Sequence, residues 1–151
     1  MKVIQGIEEL RTYLGKEVGV SDWLTITQER VDEFARATGD NQWIHTDPVR
    51  AKAELPYGNT IAHGFLTLAL APRFSYDTYR IEGLKMTLNY GLNKVRFTSH
   101  VTTNSRVRMR VTLLALETTK GGFKTTTQVT FEVEGQHKPV CVAEALAVLY
   151  F

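Results

Sequence analysis

Alternation is plainest between residues 106 and 113. Val107, Met109, Val111 and Leu113 are apolar, and Arg106, Arg108, Arg110 and Thr112 stand between them. Period two reads as a half-buried strand. The same reading places strands over Phe123 to Glu134 and Val140 to Phe151. An earlier one covers Leu84–Asn93, with Met86, Leu88 and Tyr90 at alternate positions, and Lys94–Phe97 continues it after a bend at Gly91. Lys120-Gly121-Gly122 reads as a turn. Taken as a three-residue loop, it sets Thr119 against Phe123, Val111 against Phe131 and Leu113 against Val129. Arg110 then faces Glu132, and Arg108 faces Glu134. One face is charge-paired and solvated, and the other is dry.

The first half of the chain changes period. Ile7, Leu10 and Leu14 predict a short helix closed by Gly15. Val18-Gly19-Val20 and Asp22 to Ile26 read as a kinked first strand. Thr27 caps a helix of about ten residues, with Ile26 and Val31 as a hydrophobic staple. Val31, Phe34, Ala35 and Thr38 share its inner face, and Gly39 sits where a left-handed C-terminal residue belongs. Asp47-Pro48 opens another helix, Asp as cap and Pro in the first position, which runs to about Leu55 and stops at Pro56. Residues 56–62 form a loop. From His63 to Phe74 the chain is apolar on all sides with no charge before Arg73. Such a helix is expected to be buried on every side. The whole predicts one α+β domain over residues 1–151, an antiparallel sheet around a buried helix.

Composition excludes more than it identifies. A net charge of +2 is too small to point to nucleic acid. The single cysteine, Cys141, forms no intrachain disulfide. No run approaches the ~18 apolar residues of a membrane span. Residues 1–9 lack the apolar core of a signal peptide. The expectation is a cytoplasmic protein.

The chemistry concentrates in Thr38-Gly39-Asp40-Asn41-Gln42-Trp43-Ile44-His45-Thr46-Asp47-Pro48. This stretch is too rich in turn formers for a regular helix or strand. A carboxylate and an imidazole five residues apart can handle one water between them. Asp47 reads as a helix cap rather than an acid. His45, Asp47 and His63 lack the spacing of a metal site, so no metal is expected.

Gly39 to Pro48, followed by Ile61-Ala62-His63-Gly64-Phe65-Leu66, resembles the MaoC-like family of (R)-specific enoyl-CoA hydratases, in its nodulation protein N-like branch. Tyr90-Gly91-Leu92-Asn93-Lys94-Val95-Arg96-Phe97 fits that branch too. The resemblance implies the hot-dog fold and a homodimer. It implies addition of water to a trans-2-enoyl thioester, with coenzyme A as part of the substrate and no other cofactor. Asp40 and His45 match the family's catalytic pair, and Gly64 matches the backbone N–H that polarises the thioester carbonyl. Gln42-Trp43 replaces the Asn-Pro common in the broader family, and residues 68–72 offer no helix hydroxyl of the kind some members carry.

Five further residues are candidates for substrate binding. Trp43 packs the bridge or lines the acyl pocket. His63 begins the central helix, where supporting that helix is its plainer role. Lys94 and Arg96 have no obvious glutamate partners and are candidates for the coenzyme A phosphates. Asn89 is a candidate pocket residue. Two other readings compete with hydration: a hot-dog acyl-CoA thioesterase, and a weakly catalytic acyl-thioester binding protein. A nearby Asp/His pair favours hydration over hydrolysis by a lone carboxylate.

Overall fold

The computed structural model describes residues 1–151. Its elements run β1 (Lys2–Ile4), α1 (Gly6–Arg11), β2 (Glu17–Val20), β3 (Leu24–Thr25), α2 (Gln28–Thr38), α3 (Trp43–Thr46), α4 (Pro48–Glu54), α5 (Gly64–Ala69) and α6 (Ala71–Thr78). Then come β4 (Tyr79–Ile81), β5 (Met86–Phe97), β6 (Arg106–Thr119), β7 (Gly122–Val133) and β8 (Cys141–Tyr150). A six-stranded sheet has the order β2-β6-β7-β8-β5, with β3 also on β6, and every pairing in it is antiparallel. It packs its dry face on α5 and α6.

That dry face follows from the alternation. Val107, Met109, Val111 and Leu113 of β6 are at most 1% exposed, and Phe131 of β7 is fully buried. Phe74 of α6 meets the Phe131 ring edge-on at 6.1 Å. Full burial of one such side chain stabilises by about 1.5–3 kcal/mol. The opposite face is polar as expected. Arg106 pairs with Glu134 at 2.9 Å, Arg108 with Glu132 at 2.8 Å, and Arg110 with both Glu132 and Glu17.

The register differs from the expected one. Thr119 lies opposite Gly122, so the loop has two residues, Lys120 and Gly121. A bulge at Leu114 adds a second one-residue offset, and Arg108, not Arg110, lies opposite Glu132. Two offsets of one restore the original parity, so the buried stripe stays inward. The bulge also turns Leu116 toward the core and leaves Leu114 40% exposed.

The central helix departs from expectation in two ways. It is two segments meeting at Leu70, whose N–H is shared between the carbonyls of Leu66 and Thr67, at 3.2 and 3.3 Å. Pro72, lacking an N–H, stands in the first turn of α6. Nor is it buried all round. Leu66, Leu70 and Phe74 face inward, whereas Phe65 and Tyr76 are 70% and 72% exposed. Leu14 is exposed as well, because α1 ends at Arg11 and never brings it to the helix face. The kinked first strand is two strands, β2 and β3, and Gly19 has no room for a side chain: a Cβ there would sit 2.7 Å from Thr78. The β1–β4 pairing is parallel and only three residues long. No helix is long and apolar enough to cross a membrane.

The caps behave as read. Thr27 Oγ1 accepts from Arg30 N, and Gly39 at φ 80° donates its N–H to Ala35 O at 2.8 Å. Asp47 Oδ1 accepts from Arg50 N at 2.9 Å. The bridge between α2 and α4 is more regular than expected, since residues 43–46 close one helical turn as α3. Nothing lies within 4 Å of a Cβ added at Gly39, so Gly39→Ala should lose only the backbone preference, about 1–2 kcal/mol in urea denaturation. An unchanged stability would mean that the backbone before Asp40 is not held left-handed.

Candidate active site

Asp40 leaves α2 just after the left-handed Gly39, and its carboxylate is lightly held. Its side chain is 55% exposed, and Oδ1 meets only Gln42 N, at 3.5 Å. His45 is the opposite. It is 7% exposed, and its Nδ1 lies 2.6 Å from the Ile61 carbonyl. A carbonyl oxygen accepts and never donates, so Nδ1 carries the proton and Nε2 keeps a lone pair. Burial away from water holds the His45 imidazole below its ordinary value of 6.5. The Ile61 bond opposes that shift, the neighbouring His63 ring adds to it, and Asp40 opposes it. His45 is therefore a neutral, unprotonated base near neutral pH.

The segment before α5 is tied to α3 and to the loop that leads into β6. Ile61 N donates to Ile44 O at 3.0 Å, and Ala62 N to Val101 O at 2.7 Å. Behind them runs a polar chain that the sequence did not reveal. Gln28 Nε2, on α2, donates to the His45 carbonyl at 2.7 Å, and Gln28 Oε1 accepts from Thr60 Oγ1 at 2.5 Å. Thr60 meets Thr103 at 2.9 Å, and Thr103 donates to Asn59 at 2.8 Å. Nothing in the spacing of Gln28, Thr60 and Thr103 announces this contact, because it spans 17, 32 and 43 residues.

His45 opens onto a cleft of about 240 Å³ lined also by Ala62, Gly64, Thr67, Phe97 and His100. Gly64 is the first residue of α5, and His63 before it supplies no side-chain cap. The α2 and α4 helices are capped; α5 leaves its first N–H groups free. Sequence reasoning gave Gly64 to the approach of a substrate. The structure adds Phe97, whose ring lies 3.0 Å from where a Cβ would stand. Thr67 was missed: no hydroxyl follows it in residues 68–72, but its own side chain lines the cleft one turn beyond Gly64.

The larger cavity, about 820 Å³, does not contain His45. It is bounded by Leu68, Ala69 and Pro72 of α5 and α6, and by Asn89, Tyr90 and Leu92 of β5. Two thirds of its lining is apolar, so it suits a hydrocarbon chain and not the acid–base step. The two cavities share α5 and β5 as walls.

The remaining candidates scatter. Trp43 is covered by the Arg50 guanidinium at 4.1 Å and does not line the cleft. Lys94 lies 3.6 Å from Glu144, a partner the sequence did not suggest, and Arg96 is exposed with its Nη1 on the Val95 carbonyl. Asn89 lines the larger cavity only. His63 lies behind the cleft, 3% exposed, with its Nε2 3.0 Å from the Asp40 carbonyl. Donor atoms of Asp40, His45 and His63 come within 4.8 Å of one another. Part of that trio's bonding capacity is already committed. His63 Nε2 carries a proton for the Asp40 carbonyl, and the two imidazoles stack with centroids 3.8 Å apart.

The family model described as MaoC like domain matches residues 9–137. The 3-hydroxyacyl-thioester dehydratase Z of Mycobacterium tuberculosis is 51% identical over 147 residues, covering 97% of this chain and 97% of that protein. Nodulation protein N of Rhizobium leguminosarum bv. viciae is 41% identical, covering 96% of this chain and 91% of that one. Among solved structures, the (R)-hydratase from A. caviae involved in PHA biosynthesis superposes with a TM-score of 0.71 at 20% identity, over 89% of this chain and 94% of its own. That last likeness speaks for the hot-dog fold.

A histidine whose folded-state value is lowered contributes stability that is present above the unfolded value of 6.5 and lost as pH falls through the folded one. An NMR titration of the His45 ring should give a midpoint below 6.5. A midpoint at or above that value would mean that water reaches the ring freely.

Proposed function

Because the chain belongs to the MaoC-like domain family, we propose that it is a hydro-lyase that adds water to the double bond of a trans-2-enoyl-CoA, or removes it from the (R)-3-hydroxyacyl-CoA. One observation carries this reading. The free Nε2 of a neutral His45 and the uncapped N–H groups at Gly64 border the same cleft.

The reaction divides among these groups. The thioester oxygen accepts from the Gly64 N–H, which draws electron density from Cβ. Water lies between Asp40 and His45. Its oxygen bonds to Cβ as His45 Nε2 takes one proton, while Asp40 accepts a hydrogen bond from the other. The electron pair of the former double bond moves to Cα and the carbonyl, where the Gly64 donor stabilises the charge by about 2.7–4 kcal/mol. His45 then returns its proton to Cα. Dehydration is the same path reversed. The scheme calls on no metal and no cofactor, and the 820 Å³ cavity accommodates the acyl tail.

A second copy of the chain completes the picture. β5 is bonded to β8 on one side only. Its Met86, Leu88, Tyr90, Leu92 and Phe97 are 43–68% exposed. An unpaired twelve-residue strand with apolar side chains this exposed is covered by the same strand of a partner, which joins two sheets into one.

Asp40→Asn and His45→Ala should each lower turnover of crotonyl-CoA on the order of 10²–10⁴-fold, with the protein still folded. The assay follows loss of the conjugated thioester absorbance together with free thiol. Thiol release at the rate of absorbance loss would establish a thioesterase instead, and binding with neither signal a binding protein. Sedimentation should give a dimer, and Leu88→Arg should shift it toward monomer; a stable, active wild-type monomer would refute the shared sheet.

A further inference from the structure

His63 neither lines the cleft nor reaches solvent, yet it touches each part of the site. Its Nε2 lies 3.0 Å from the main-chain oxygen of Asp40 and 3.9 Å from the Asp40 carboxylate. Only the first is a hydrogen bond, so Nε2 carries the proton. Its ring stacks on that of His45, centroids 3.8 Å apart and planes at 26°. Phe34 closes the region at 5.0 Å, tilted. Along the chain His63 immediately precedes Gly64.

Its second nitrogen is unexplained by packing. Nδ1 is buried and has no hydrogen-bond partner. Buried polar atoms of this kind are uncommon, and an apolar ring would fill the same space without one. What an apolar ring would not supply is the Nε2–H. The imidazole here serves one hydrogen bond, to the backbone of the residue that carries the site's only carboxylate.

We propose that His63 is a positioning residue for the hydration step, acting on both members of the pair at once. Its Nε2–H fixes the backbone at Asp40, and its face fixes the plane of His45. The exposed carboxylate and the His45 lone pair then meet one water. The two stacked rings carry opposite tautomers, Nδ1–H on His45 and Nε2–H on His63. This rests on the hydratase reading for its kinetics, but the tautomers are independent of it.

The test has two arms. Protein labelled with ¹⁵N-histidine, above neutral pH, is examined by long-range ¹H–¹⁵N correlation, with His63→Gln to assign the signals. An Nε2–H on His63 beside an Nδ1–H on His45 is expected, and an Nδ1–H on His63 overturns the proposal. In the second arm crotonyl-CoA is turned over by His63→Phe, which keeps a stacking ring but no donor, and by His63→Gln, which returns the donor. The Phe variant should lose kcat on the order of 100-fold with little change in KM, the scale on which a misplaced catalytic group costs rate. The Gln variant should recover most of that loss. Equal rates for the two variants, or a change confined to KM, overturn it. A wild-type protein inactive on crotonyl-CoA counts against the hydratase reading alone, and the tautomers then decide.

Discussion

The hydrogen bond from His45 Nδ1 to the Ile61 carbonyl is the contact on which the site depends. It chooses the tautomer, and the tautomer decides whether the imidazole presents a lone pair or a proton to the cleft. The acceptor is itself immobilised, because residues 61 and 62 are stitched to the strand-flanking residues Val101 and Thr102. The loop leading into β6 thereby holds the acceptor of one side chain in place. Gln28 of α2 adds a second restraint at the His45 carbonyl.

Asp40 and His45 are held differently. Asp40 is more than half exposed, so its carboxylate is open to water on the side away from His63. Burial of His45 disfavours its charged form and keeps it a base. One group is exposed and the other buried, with their polar atoms within 4.8 Å of each other.

Much of this was legible where the signal is local. Gly39 and Asp47-Pro48 announce their own backbone geometry, so the position of the bridge could be read from three residues. Strand alternation identified the inward face of β6 because period two is insensitive to a shift of two. The register itself was not legible, since a bulge at Leu114 leaves no mark in the pattern. The β1–β4 pair was missed because three residues hold too little periodicity. The exposure of Phe65 and Tyr76 was unreadable because an apolar helix looks alike whether its outer side meets a sheet or solvent. At the site, His45 and Gly64, read from two separate motifs, border one cleft, while Asp40 stands beside His45 and His63 without lining it. Lys94 and Arg96 do not line it either: being cationic says nothing about whether a carboxylate such as Glu144 waits on the neighbouring strand.

The bulge at Leu114 and the two-residue turn at Lys120-Gly121 also constrain how this hairpin can change length over generations. Each displaces the pairing by one, and only together do they keep Val107, Met109, Val111 and Leu113 under the helix. A lineage that gained or lost a single residue in either place would rotate that stripe into water and the arginines into the core. Insertions and deletions here are admissible in compensating pairs, so the hairpin's length is inherited as a unit with its bulge.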